Sequence, residues 1–90
     1  PNPASLKSGK SHFRIITNGP AEIKVFIYDA VGNMIFASSK SKSNGKLDMS
    51  WNFLTTHKNR VGLGTYLVVA KIEYRNGSKE VMKAKLGVKQ

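Results

Sequence analysis

An all-β fold of antiparallel strands stacked as a sandwich is the architecture this sequence predicts, and three observations carry the prediction. Apolar and polar residues alternate with a period of two over several stretches, as in Ala21-Glu22-Ile23-Lys24-Val25. Turn-forming residues recur at intervals of roughly 8 to 12 residues. No stretch repeats its apolar residues at the 3.6-residue spacing of an amphipathic helix.

The elements follow in order. Residues 1–11, PNPASLKSGKS, are polar and punctuated by Pro1 and Pro3, which predicts a linker tail entering a single domain over 12–90. His12 to Thr17 is rich in β-branched residues and reads as a strand, and Asn18-Gly19-Pro20 reads as a turn. Ala21 to Tyr28 alternates strictly, with Ile23, Val25 and Ile27 on one face. Asp29 to Asn33 turns the chain, with Gly32 at positive φ and Asp29 accepting backbone N–H groups, and Met34 to Ser38 returns as a strand. Ser38 to Lys46 has no apolar residue and predicts a solvated loop or mobile edge. Leu47, Met49 and Trp51 then alternate in a half-buried strand. The stretch from Asn52 to Gly62 reads as a loop that Phe53 and Leu54 anchor. Gly64 to Tyr74 supplies the longest strand, and Lys79 to Val88 the last.

Two hairpins can be registered from the sequence. A two-residue turn at Asn76-Gly77 would direct Lys83 and Lys85 into the core, at a desolvation cost on the order of several kcal/mol. A three-residue loop, Arg75-Asn76-Gly77 with Gly77 left-handed, reverses the parity. Ala70 then faces Met82, Val68 faces Ala84 and Tyr66 faces Leu86 on the inner side, while Lys71, Lys83 and Lys85 share the solvent face and Glu73 opposes Lys79. In the Tyr28–Met34 hairpin the expected inner pairs are Ile27 with Ile35 and Val25 with Ala37. The outer face then carries Phe26, Tyr28, Met34 and Phe36, an unusually apolar surface that either the arm or loops cover or a partner docks on.

Composition narrows the function. Ninety residues suit one small domain, without a disulfide or thiolate chemistry because there is no cysteine. No run approaches the roughly 18 apolar residues of a transmembrane segment. The chain opens on Pro1 rather than Met, which is expected of a piece of a longer chain with any signal peptide upstream. Fifteen Lys and Arg against five Asp and Glu give a net charge of +10, which attracts polyanions. Twelve of the cations are lysines, and only Arg14, Arg60 and Arg75 offer the forked guanidinium that clamps phosphates and reads bases. Diffuse attraction to an acidic surface, a headgroup or an acidic polysaccharide suits this chain better than nucleic acid.

Catalytic signatures are lacking. Gly62-Leu63-Gly64 precedes a β-branched strand instead of a helix, so it cannot cradle phosphate in the manner of a nucleotide loop. His12 and His57 lack a metal-ligand spacing, and Glu22, Asp29, Asp48, Glu73 and Glu80 are scattered. Trp51 would suit a sugar-stacking platform but shares the Leu47 and Met49 face, which favours a core role. The expectation is a non-enzyme with no cofactor and no metal.

The order of short motifs is informative. Pro1-Asn2-Pro3 at the entry, Phe13-Arg14-Ile15, Ile27-Tyr28-Asp29 before Gly32, Trp51, and Gly64-Thr65-Tyr66 opening the penultimate strand resemble the immunoglobulin-like C-terminal modules of secreted bacterial proteins. These are the type IX secretion sorting domain and the related domain of the flagellar hook-capping protein. A lysine-containing last strand, from Lys83 to Gln90, is similar to the sorting-domain ending, and the high basic charge resembles the basic terminal domains of secreted cellulolytic enzymes. Between Trp51 and Val61 the glycine pattern of the hook-capping relatives is missing.

The resemblance implies a seven-stranded antiparallel immunoglobulin or fibronectin III-like sandwich, secreted or held at the bacterial outer surface. It implies a non-catalytic protein-binding module in secretion sorting or cell-surface attachment. The expected partners are the secretion machinery or a cell-surface component, acidic polysaccharide, and the upstream domain of the parent chain. The candidate contact residues are the cationic set Lys71, Lys83, Lys85 and Lys89 and the apolar set Phe26, Tyr28, Met34 and Phe36. The alternatives are a carbohydrate-binding module that uses Trp51 or the Phe26, Tyr28 and Phe36 face, and a structural immunoglobulin-like spacer.

Overall fold

The computed structural model describes residues 4–5 and 9–89. Most of the expected linker, including the Pro1-Asn2-Pro3 motif, lies outside them. Among the described residues there are six strands and no helix: β1 Ala4–Ser5, β2 Ser11–Tyr28, β3 Met34–Ala37, β4 Ser41–Trp51, β5 Gly64–Tyr74 and β6 Lys79–Lys89. All six belong to one hydrogen-bonded sheet in the order β1-β6-β5-β2-β3, with β4 also paired to β2. Every pairing is antiparallel except the short β1–β6 pair, Ala4 with Val88 and Ser5 with Lys89.

Five strands of four residues or more, plus the two-residue β1, replace the expected seven. One reason is that the two strands expected on either side of Asn18-Gly19-Pro20 are a single 18-residue strand, β2, so that β5, at 11 residues like β4 and β6, is not the longest. Asn18-Gly19-Pro20 is a bulge. β2 advances from Ile16 to Pro20 while its partner β4 advances only from Lys46 to Asn44, so β2 carries two extra residues. Pro20 has no N–H to donate, which suits an interrupted ladder, and Gly45 opposite the bulge has φ 106°, a backbone that favours glycine. Thr17 Oγ1 donates to the Gly19 carbonyl at 2.8 Å, and the Asn18 amide donates to Tyr74 Oη at 3.3 Å, so the bulge keeps its polar groups partnered.

Because the insertion is two residues long, side-chain parity survives it. Ser11, Ile15, Thr17, Ala21, Ile23, Val25 and Ile27 are all buried. The two halves of β2 nevertheless take different partners. Ser11–Ile16 pairs only with β4, whereas Ala21–Tyr28 lies between β5 on one side and β4 then β3 on the other. Ile15 from the first half and Trp51 from its partner β4 share one core with Ile23, Val25 and Ile27 from the second half and with Val68, Ala70 and Ile72 from β5. The sheet therefore bends over its own inner face. Trp51, 1% exposed, sits at the join, its ring edge-on to Phe53 at 5.4 Å and Tyr66 at 5.8 Å, with Nε1 donating to the Leu54 carbonyl at 2.9 Å. Such burial removes Trp51 as a sugar platform.

Of the two expectations for this stretch, loop or edge, the all-polar Ser41–Lys46 is the start of β4, a strand paired only to β2, and not a loop. Ser41–Asn44 pairs with Pro20–Ile23 and Lys46 with Ile16, and Ser43 turns inward, where its hydroxyl lies 3.4 Å from that of Thr17. Polarity there reports exposure of the side chains, while the backbone still completes the ladder. Residues 52–63 form a loop as expected, pinned by Phe53 at 2% exposure and by a Leu54–Arg60 bridge.

The last hairpin has the expected register: Glu73 with Lys79, Ala70 with Met82, Val68 with Ala84 and Tyr66 with Leu86. Gly77 is left-handed at φ 89°, and its amide donates to the Tyr74 carbonyl. The inner side of β6 is covered only near its end, however. Leu86 and Val88 are buried, whereas Met82 and Ala84 are exposed.

The β2–β3 hairpin departs from expectation. Its turn is as predicted: Asp29 Oδ1 accepts the Val31 amide at 3.1 Å and the Asn33 amide at 2.8 Å, and Gly32 has φ 95°. A register shift between Ile27 and Tyr28 then pairs Tyr28 with Met34 but Ile27 with Phe36 and Phe26 with Ala37. The shift by one residue moves Phe36 to the core side, where its ring lies 6.3 Å from that of Trp51. Phe36 thus leaves the apolar outer set.

Two outcomes follow from this hairpin. Phe36→Ala should lower the unfolding free energy by about 2–4 kcal/mol, whereas Met34→Ala, at an exposed position, should change it by less than about 0.5 kcal/mol; denaturant titration compares them, and equal effects would restore the unshifted register. The amides around Asp29, that of Asn33 foremost, hold its carboxyl below the usual carboxylate range. A depressed folded value makes the contribution full above the ordinary unfolded value of about 3.9 and lost as pH falls through the folded value. Asp29→Asn should flatten the decline of stability from about pH 5 to pH 2, read by urea midpoints across that range.

Candidate cationic and aromatic face

The outer face of β2, β5 and β6 is a ladder whose rows are set by the registers. Glu22, Glu73 and Lys79 form the first row, Lys24, Lys71 and Val81 the second, Phe26, Val69 and Lys83 the third, and Tyr28, Leu67 and Lys85 the fourth. Rows lie about 7 Å apart along the strands and neighbouring strands about 4.8 Å apart. Strand pairing thereby brings the cationic set Lys71, Lys83 and Lys85 onto the same surface as Phe26 and Tyr28 from the apolar set. Met34 joins at its margin, opposite Tyr28 and 53% exposed. Lys89 keeps the same parity but lies at the end of β6, two rows beyond Lys85.

Lys24 belongs to this surface and lies outside the two residue sets expected from the sequence. It pairs with Lys71 across the β2–β5 ladder. The β2–β5 register was the missing signal, since these strands are far apart in sequence. Like charges directly opposite one another are unfavourable. Here both ammonium groups lean over one ring: Lys24 Nζ is 5.5 Å and Lys71 Nζ 5.2 Å from the Phe26 centroid. The negative face of the ring offsets part of the repulsion.

Beneath the lysine heads the apolar groups lie low. Val69 is buried, Phe26, Tyr28 and Leu67 are half-buried, and Lys24, Lys71, Lys83 and Lys85 are exposed. The lysine stems and the rings together cover the middle strand. Two shallow depressions run along this face. Lys24, Phe26, Lys40, Lys71 and Val81 line one, and Tyr28, Leu67, Val69, Lys71, Val81, Lys83 and Lys85 line the other. They meet at Lys71 and Val81, so together they make one groove. Acids stand at its two ends: Glu22, Glu73 and Glu80 at the first, and at the second Asp29, whose oxygens accept the turn amides.

Elsewhere the surface is less organised. Arg14 is held by Asp48 at 2.7 Å, and each raises or lowers the other's pKa in the direction that favours the charged pair. Both side chains are largely exposed, so the pair adds little to stability. His12 and His57 are exposed, and no three His, Asp or Glu residues gather as a metal site among the described residues. No helix among them is long and apolar enough to cross a membrane.

Phe26→Leu keeps most of the apolar volume but removes the ring that Lys24 and Lys71 share. It should destabilise the fold by about 0.5–1.5 kcal/mol at 0.1 M NaCl. The loss should shrink in 1 M NaCl, where the lysine repulsion is screened, and thermal melts at the two salt concentrations read the difference.

No protein-family model matches this sequence. No curated protein matches it either. Among solved structures, dimeric latent PorU from Porphyromonas gingivalis superposes with a TM-score of 0.78 at 24% identity, over 98% of this chain and 8% of PorU. FlgD from Xanthomonas campestris, described for hook capping in flagellar assembly, superposes with a TM-score of 0.67 at 17% identity, over 86% of this chain and 56% of FlgD. The chain therefore spans only part of either protein, and what it shares with them is the fold.

Proposed function

We propose that this chain is an immunoglobulin-like, non-catalytic module of a larger secreted bacterial protein, acting in type IX secretion sorting or in attachment to the outer cell surface. The observation that carries the reading is the match of 98% of this chain to 8% of PorU at a TM-score of 0.78. A fold used as a small part of a long chain is the expected context for a sorting or attachment tail. The order of Ile27-Tyr28-Asp29, Gly32 and Gly64-Thr65-Tyr66 supports it from the sequence side.

The sheet curved over the Trp51 core supports a sandwich of immunoglobulin type with fewer and longer strands than the sequence pattern suggested. Recognition would use the outer strands, with the lysines drawing the module to an anionic surface. The spacer reading is weaker. It needs a broad apolar hairpin face to pack on a neighbouring domain, and the inward turn of Phe36 removes one of the three rings from that face.

A fusion experiment tests the proposal. Residues 1–90 attached to a neutral periplasmic reporter should carry it to the surface or medium of a type IX-secreting host, and the same fusion should remain periplasmic in a host without that pathway. Retention of the reporter in the periplasm of both hosts would overturn the sorting role.

A further inference from the structure

We infer that the groove across β2, β5 and β6 is a binding site for a carboxylate-bearing polysaccharide, with Lys24, Lys71, Lys83 and Lys85 as its anion contacts and Phe26 and Tyr28 as its sugar-contacting floor. The inference names the partner of the proposed attachment role and rests on that reading.

Three features point to this occupant. First, the site is elongated: two depressions meet at Lys71 and Val81 and run along the strands over several rows. An extended polymer fits that shape, whereas a compact ligand would need one enclosed pocket. Second, cations and rings are interleaved. Lys24 and Lys71 lean over Phe26, and Lys83 and Lys85 stand in the rows of Phe26 with Val69 and of Tyr28 with Leu67. A sugar acid presents an apolar ring face and a carboxylate on the same residue, and this floor offers a partner to each. Third, the cation cluster is held together against its own repulsion, with Lys24 directly opposite Lys71. An anionic ligand relieves that repulsion on binding.

Other polyanions match less well. None of the three arginines lies in the four rows of the ladder, so the bidentate contacts that favour phosphates are missing. A membrane surface would call for apolar groups that project and insert. Here Val69 is buried, the rings lie half-covered under the lysines, and the exposed Val81, where the depressions meet, stands apart from the exposed Met34 at the far margin, so no contiguous apolar group projects.

The test uses purified chain 1–90 and polygalacturonate as probe, with dextran as the neutral control, by calorimetry or affinity electrophoresis at 0.1 M NaCl. Polygalacturonate should bind and dextran should not. The triple variant Lys71→Gln/Lys83→Gln/Lys85→Gln should weaken binding about tenfold or more, while Lys46→Gln/Lys58→Gln/Arg60→Gln, equal in charge but off the face, should change it less than about threefold. Phe26→Leu, checked for folding by thermal melt, should weaken binding about threefold or more without altering net charge.

Several results would overturn the inference: absence of polygalacturonate binding, equal loss in the two triple variants, or no effect of Phe26→Leu. Equal or tighter binding to polyglutamate, single-stranded DNA or phosphatidylglycerol vesicles would do the same, since it would assign the face to another polyanion. Because the assay is made in solution, it can fail while the secretion fusion succeeds, or the reverse, and the two readings are separable.

Discussion

The fold depends on β2 and on its capacity to serve two parts of the sheet at once. Its first half pairs with β4 alone, and its second half is the central strand between β5 and the β3–β4 side. What makes this possible is a bulge of two residues instead of one. A single extra residue would have sent the odd-numbered side chains of one half to solvent. With two, Ser11 to Ile27 keep their inward parity across the bend, and Ile15 can meet Ile23, Val25 and Ile27 around Trp51.

From that arrangement the rest follows. The bend closes the apolar inner face over itself, so a chain with no cysteine and no helix among the described residues still buries a core of 14 clustered side chains. Polar groups drawn inward near the bend, Ser11, Thr17 and Ser43, do not stand as unpartnered buried atoms among the described residues. The outer face of the second half carries exposed side chains. That is where charge collects, because β2, β5 and β6 each direct lysines outward in adjacent rows.

The candidate site was legible in pieces. Lys71, Lys83 and Lys85 were assigned one face from the last hairpin, whose register could be settled because the wrong parity would have buried two lysines. Phe26 and Tyr28 were assigned an outer face from strict alternation. That these are one surface depends on β2 pairing with β5, a contact between segments far apart in sequence that no local pattern encodes. Lys24 was missed for the same reason. Phe36 was misplaced because a one-residue irregularity beside a turn leaves no mark in composition yet reverses every side chain beyond it.

By itself the sequence determined what local physics dictates: strand character from period-two alternation, the Asx turn at Asp29, the left-handed Gly77 and the core role of Trp51. It also determined the excess of lysine over acid, a net charge of +10. Only the tertiary structure decided the bulges, the joining of two expected strands into β2, the strand role of the all-polar Ser41–Lys46 and the gathering of lysines around Phe26. The reason is that alternation specifies a strand's two faces, whereas neighbours and offsets are chosen by long-range backbone pairing and by burial around a shared core.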